Sequence, residues 1–323
     1  MVSVIRRMPL LVSVAVSFFS MAPAAAQKLD STIAIGQSTT LWSAVLQEQR
    51  RYFVHLPPHY AQSGKAYPVL YLLDAEMQFH SATGIVQFLS SVNDRIPEMI
   101  VVGVTNSDRT RDLTPPITHP SWAKAREEKS GGGANVFLKF LADELIPAID
   151  ASYRTQPYRV LVGHSFGGLF SLHTLSNRPD LFQAHIAISP SLWWDDEAPI
   201  AAVEEGIRRA GKAPWLFMSW GDNEANIRDT NRKLVNALET KPPSGLRWEH
   251  RYYPGEDHMS TPHRSLYDAL QALFAGWRMP RMVGDVEQRF DMRGVEAHYS
   301  ALAARFGFPI APSPAAFAVA ADG

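Results

Sequence analysis

The chain has 323 residues, 46% of them hydrophobic and 20% charged, with a formal net charge of -1 and no cysteine. A balance this close to neutral leaves no basic footprint for nucleic acid and no polybasic patch for a membrane surface, so neither is expected as a partner. Without cysteine there is no disulfide, no thiolate metal site and no cysteine nucleophile.

The chain opens on a targeting pattern. Arg6 and Arg7 precede an apolar stretch from Met8 to Met21, and Ala24, Ala25 and Ala26 supply the small residues a signal peptidase needs before Gln27. Residues 1–26 are therefore expected to be a signal peptide whose apolar part is too short for a membrane span, which makes the folded part periplasmic or secreted.

A poorly defined strand is expected within Thr32 to Leu46. A clearer one runs from Arg50 to Leu56, where Tyr52, Val54 and Leu56 alternate with Arg51, Phe53 and His55 until Pro57 and Pro58 stop it. Tyr67 to Leu73 is a near-continuous apolar run, the mark of a strand buried on both faces of a parallel sheet. Phe79, Ile85, Phe88, Leu89 and Val92 then fall at helical spacing. A second buried strand, Met99 to Val104, opens into a long polar loop over residues 106–133 that holds Asn106, Arg109, Arg111, Asp112, Pro115, Pro116 and three glycines, Gly131 to Gly133. Loops of this length often carry substrate contacts or act as lids.

A helix marked by Val136, Phe137, Phe140, Leu141, Leu145 and Ile149 follows, with Pro147 expected to kink or end it. The remaining pattern alternates strand and helix: strands at Val160 to Val162, Ala184 to Ser189, Trp215 to Trp220 and Leu246 to Tyr253, and helices after Ser165, from Glu197 to Ala210, through Ile227 to Leu238, and from Ser265 to Trp277. Such alternation means an α/β protein with a mostly parallel central sheet flanked by helices. One catalytic domain is expected over residues 27–280. A short helical extension around Val295 to Phe306 and a loosely ordered tail would make up residues 281–323.

The chemistry centres on Gly163-His164-Ser165-Phe166-Gly167-Gly168. An apolar β-branched run ends at Gly163 and a helical pattern starts just beyond Ser165, which is the strand-to-helix setting of a nucleophile elbow. A serine hydroxyl needs a base to accept its proton, and that base needs a carboxylate to fix its tautomer. On later strand ends the sequence offers Asp222 or Glu224 and then His258, in the nucleophile, acid, base order of the α/β-hydrolase fold. His263 is a weaker rival base, closer to the last helix. For the oxyanion the backbone N–H of Phe166 is the first candidate donor, and the N–H of Glu76, in the loop after the Tyr67 strand, the second. Trp193 and Trp194 sit on the same rim and would offer an aromatic platform. Arg109 and Arg111 would hold an acidic substrate group or pair with Asp108 and Asp112. No metal-ligand spacing and no Walker lysine is present, so neither metal nor organic cofactor is expected.

Four motifs carry a family resemblance: Tyr71-Leu72-Leu73-Asp74, the elbow itself, Ser189-Pro190-Ser191-Leu192-Trp193-Trp194 and Glu256-Asp257-His258. Together they resemble the esterase family of α/β-hydrolases that includes esterase D, enterochelin-type siderophore esterases, feruloyl and acetylxylan esterases and mycolyltransferases. The resemblance runs from about Thr32 to Trp277. It implies Ser165 as nucleophile and His258 as base, and its Gly-x-Asn-Asp/Glu setting points to Glu224 as the acid. The implied function is hydrolysis of a carboxylic ester, siderophore-like, sugar-borne or simple. Acyl transfer to an alcohol, or ligand binding on a non-catalytic version of the fold, are the alternatives. Ala75 departs from the glycine that many relatives carry after the aspartate.

Overall fold

The computed structural model describes residues 33–128, 131–209, 214–222, 224–279, 282–283, 286–287 and 292–312. Two units divide the chain, Met1–Ala34 and Ile35–Gly323, and every described strand and helix lies in the second. The signal peptide expected over residues 1–26 and the tail from residue 313 lie outside the described residues.

Strand β1 (Gln37–Ser43) and strand β2 (Glu48–His55) form an antiparallel hairpin, and helix α1 (Tyr60–Ser63) leads into β3 (Tyr67–Leu72). Every residue of β3 is buried, as its unbroken apolar run requires. Helix α2 (Ala75–Gln87) crosses to β4 (Ile100–Val104), which lies parallel to β3 and antiparallel to β2. The stretch after β4 holds more structure than a polar loop: helix α3 (Arg109–Leu113), a 3₁₀ turn (Pro120–Trp122) and helix α4 (Ala123–Glu127).

Helix α5 (Ala134–Phe140), a π-helical segment (Leu141–Leu145) and α6 (Ile146–Ser152) follow one another without a break. Pro147 therefore does not end the helix there; it sits in the first turn of α6, just past the π segment.

The rest alternates regularly. Strand β5 (Thr155–His164) is followed by α7 (Phe166–Asn177), β6 (Ala184–Ile188) by α8 (Ala198–Arg209), β7 (Trp215–Gly221) by α9 (Ala225–Thr240), and β8 (Arg247–Tyr253) by α10 (Thr261–Leu273). Helix α10 starts four residues earlier than the apolar pattern indicates, because Pro262 is placed in its first turn, where a missing N–H costs nothing. A two-residue ladder of β9 (Met282–Val283) and β10 (Val286–Glu287) precedes α11 (Met292–Phe306). The sheet order is β1-β2-β4-β3-β5-β6-β7-β8, with every pair from β4 to β8 parallel. This is the mostly parallel α/β-hydrolase sheet.

Both faces are covered. On one, Leu70, Leu72, Val160, Val162, Ile186 and Phe217 pack against α2, α10 and α11. On the other, Val69, Tyr71, Val102 and Leu161 meet α5 and α6, while Ala187, Leu216 and Met218 meet α7, α8 and α9. Helix α11 belongs to this core: Val295, Tyr299, Leu302 and Phe306 form one buried stripe, and the Phe306 ring lies 5.1 Å from Phe274 and 5.4 Å from Tyr158. Burying a side chain of this size is worth about 1.5–3 kcal/mol, so the last helix fastens the fold rather than trailing from it. Among the described residues no helix is long and apolar enough to cross a membrane.

Candidate active site

Parallel strands leave their C-terminal ends along one edge, where the following loops collect. Here those ends bring together Asp74 after β3, Ser165 after β5, Ser189 after β6, Glu224 after β7 and His258 after β8. Ser165 is held by its backbone. Its φ of 60° and ψ of -117° are a conformation that side-chain-bearing residues rarely adopt, and its N–H donates to Ile188 O at 2.9 Å while its own carbonyl accepts from Leu169 and Ser191. Gly163 is indispensable to that turn. A Cβ there would stand 2.1 Å from the carbonyl oxygen of Gly167, and one at Gly168 2.8 Å from Ile188 O.

The hydroxyl of Ser165 projects at the N-terminus of α7, and its hydrogen-bond partner is Ser191 Oγ, 3.3 Å away, rather than the imidazole of His258. The ring centroid of His258 lies 4.3 Å from that of His164, the residue before Ser165. Its Nδ1 faces Glu224 Oε2 at 3.6 Å, an ion-pair distance just beyond hydrogen bonding, and neither atom has another partner. Catalytic contacts of this kind often tighten only once substrate is bound.

Glu224 is buried, and its other oxygen accepts from Ser189 Oγ at 3.1 Å and Thr261 Oγ1 at 3.4 Å. Burial alone would raise its pKa, but the facing imidazole of His258, the Ser189 donor and the charge of a protonated His258 outweigh it, so Glu224 is held below the usual carboxylate range. Asp222 turns elsewhere, accepting the Gly255 N–H at 2.6 Å. Of the two acids left open by the strand pattern, only Glu224 faces His258. His263 is exposed on α10.

Phe166 and Glu76 are the first and second residues of α7 and α2, positions whose N–H groups have no acceptor within their own helix. The two helix starts lie side by side: a Cβ on Gly167 would be 3.3 Å from Asp74 Oδ2 and 3.5 Å from the Leu73 side chain.

The arginines have protein partners. Arg109 forms a two-pronged ion pair with the fully buried Asp74, Nε to Oδ1 at 2.6 Å and Nη2 to Oδ2 at 2.8 Å. Arg111 bonds to Glu48 and Asp112, both at 2.7 Å, and Asp108 caps α3 through the Arg111 N–H. Arg109 and Arg111 are thus held by carboxylates of the protein itself, while Arg126 of the same segment is exposed.

The tryptophans divide. Trp194 is buried, its Nε1 donating to Pro115 O at 3.1 Å, whereas Trp193 is half-buried with its ring 5.8 Å from Phe166. Trp122, which the sequence pattern does not single out, joins them at 5.0 Å from Trp194 and 6.2 Å from Trp193. The segment bearing it is fastened by Asp195, whose carboxylate accepts from the Thr118 and His119 N–H groups and the Thr118 hydroxyl. Asp195, Asp196 and Glu197 all have positive φ, an arrangement costly for residues with a Cβ and without a sequence signal.

Comparison with known proteins agrees with the fold. The model of the Esterase family, described as "Putative esterase", matches residues 43–274. Ferri-bacillibactin esterase BesA of Bacillus subtilis is 30% identical over 238 residues, covering 66% of this chain and 81% of its own length. The siderophore triacetylfusarinine C esterase of Aspergillus fumigatus is 28% identical over 247 residues, 65% of this chain and 82% of that protein. The crystal structure of an IroE-like serine hydrolase from Shewanella oneidensis superposes with a TM-score of 0.77 at 36% identity, over 88% of this chain and 92% of the other. The chain therefore belongs to this esterase family of α/β-hydrolases and is a carboxylic-ester hydrolase.

Proposed function

We propose that the ester is cleaved through an acyl-enzyme on Ser165, and that the substrate is a siderophore-type ester met outside the cytoplasm. The observation that supports the mechanism is the strained Ser165 at the start of α7, on the same sheet edge as the facing His258–Glu224 pair, with the His258 ring 4.3 Å from that of the adjoining His164. Ser165 Oγ attacks the carbonyl carbon as His258 takes its proton, and Glu224 stabilises the resulting imidazolium and fixes the ring. The carbonyl oxygen becomes an oxyanion facing the N–H groups of Phe166 and Glu76, each donor worth about 3–4 kcal/mol in the transition state. The C–O bond breaks as His258 returns the proton to the leaving alkoxide. Water, deprotonated by the same imidazole, then releases the acid and restores Ser165.

The substrate class rests on what the relatives act on, a ferri-bacillibactin and a triacetylfusarinine C ester. Export rests on the charged, apolar and small-residue order of residues 1–26. Hydrolysis of a short p-nitrophenyl ester by the mature protein, beside folded Ser165→Ala and His258→Ala variants, tests the mechanism. Each variant is expected to lose ~10⁴-fold or more in turnover. Equal activity in wild type and Ser165→Ala would mean the nucleophile is another residue. A siderophore trilactone compared with an acylated sugar tests the substrate class, with the higher kcat/KM expected on the trilactone.

A further inference from the structure

We infer that Arg109 is a positioning residue for the oxyanion hole: its guanidinium ties Asp74, at the head of α2, to the residues on either side of Ser165, and so sets the spacing of the two backbone donors. This rests on the acyl-enzyme reading above.

One guanidinium makes all the connections. Beyond its fork on Asp74, Arg109 Nη2 donates to the carbonyl of His164 at 3.2 Å, and the guanidinium carbon lies 5.4 Å from the centre of the Phe166 ring. Residues 164 and 166 bracket the nucleophile, while Asp74 is two residues before Glu76. The first donor and the second are thereby joined through a single side chain. Asn106 reinforces the α2 side, its Nδ2 donating to Asp74 Oδ1 at 2.8 Å and its N–H to Glu76 Oε1 at 2.5 Å.

Two physical reasons make such a clamp necessary. The N-termini of α2 and α7 converge, and both carry positive dipole ends and unpaired N–H groups, so they repel. Asp74 lies between them, yet its carboxylate makes no capping bond to α2 and has a φ of 54°. Left alone, a fully buried carboxylate there would also oppose the negative charge that develops on the substrate oxygen. Arg109 cancels that charge and fixes the geometry together. A lysine could supply the charge but not the planar fork plus a third bond to His164 O.

The platform under Arg109 is built for rigidity. At the other end of α3, buried Asp112 bonds to Arg50 at 2.6 Å and to Arg111 at 2.7 Å, and Arg50 also donates to Thr105 O at 2.9 Å. With α3 pinned to β2 in this way, Arg109 at its first residue is aimed at the elbow.

The test compares wild type with Arg109→Lys, Arg109→Met, Asp74→Asn and the Arg109→Met/Asp74→Asn pair. For a short p-nitrophenyl ester, Arg109→Lys is expected to lower kcat about 10²-fold, the effect of disturbing one oxyanion donor, with KM within about threefold. Affinity for a boronic acid that forms a tetrahedral adduct on serine should fall in parallel with kcat. The paired variant, which leaves no unpaired buried charge, should lose less than the product of its two single losses. A rise in KM at unchanged kcat would overturn the inference and make Arg109 a substrate contact. Unchanged kcat and KM would overturn it as well.

Amide hydrogen exchange in the ligand-free protein separates this inference from the reading it rests on. Faster exchange confined to residues 74–77 and 164–167 in Arg109→Lys supports the clamp whatever ester is used, and unchanged exchange there refutes it. Wild-type turnover that does not depend on Ser165 would instead sink the acyl-enzyme reading.

Discussion

The Ser165 side of the site and its His258–Glu224 side are built by opposite means. Ser165 is placed by backbone: a positive φ, three main-chain hydrogen bonds, and glycines at 163, 167 and 168 that let the chain pass within contact of itself. Glu224 and His258 are placed by side chains from three separate segments, and their facing atoms stop 3.6 Å apart with no other partner. A serine fixed by main-chain bonds thus shares the strand ends with a histidine–carboxylate pair whose facing atoms stand just beyond hydrogen bonding. In the proposed mechanism His258 serves Ser165 Oγ, the leaving oxygen and water in turn, whereas Ser165 has one position to hold.

The sharpest way to break the rigid side is Gly163→Ala. The new Cβ would sit 2.1 Å from Gly167 O and 2.2 Å from its carbonyl carbon. Both are backbone atoms, so no rotamer change relieves the clash. A loss of about 3 kcal/mol or more in unfolding free energy is expected, with activity at background, measured by urea unfolding beside ester turnover. A variant that folds with near-native stability would show that the elbow has slack.

On the His258–Glu224 side the effect should fall on rate and spare stability. Glu224→Gln keeps the volume and can still accept from Ser189 and Thr261, but it cannot stabilise an imidazolium. Turnover is expected to fall by roughly 10² to 10⁴-fold. Asp222→Asn, whose carboxylate serves the Gly255 N–H, should change kcat by less than about threefold, since surface changes away from the chemistry are small. Equal losses in both would dissolve the distinction between the two acids.

The same contrast decides what can be read from the chain. The elbow is legible because the residues that mark it, Gly163, Ser165, Gly167 and Gly168, lie within six consecutive positions. The buried strands are legible because two covered faces demand unbroken apolar runs, as in β3. Contacts between distant segments leave no such trace. Arg109 has Asp108 and Asp112 as sequence neighbours, but its partner is Asp74, 35 residues away, brought close only because β3 and β4 are adjacent strands. Helices α3 and α4 are five residues each, too short to show a 3.6-residue period. Trp122 reaches Trp193 and Trp194 because Asp195 fastens the chain at Thr118 and His119, residues 77 and 76 positions away. The tail helix is visible as a pattern, but its place against Phe274 and Tyr158 is not.

The rigid side should also be where mild acid first destabilises the fold. His164 and His185 lie on the neighbouring strands β5 and β6, and both are buried. Burial disfavours their charged forms and pushes His164 down to about 4, with the charge of a protonated His258 adding to the effect, and His185 down to about 3. With the unfolded value near 6.5, the unfolded chain binds the protons first as pH falls, so the native state loses stability from about pH 6.5 toward pH 4. Each histidine contributes a slope of at most about 1.4 kcal/mol per pH unit in that window. The lowered Glu224 acts in a separate range: its contribution is present above its ordinary value of 4.5 and is lost only below it. Urea midpoints at about pH 7, 6 and 5 should therefore decline in the wild type, and more gently in a His185→Gln variant that has one group fewer to protonate. An unchanged slope would mean that His185 is charged inside the fold, which its fully buried place beside Ser171 on the packed face of the sheet forbids unless water reaches it.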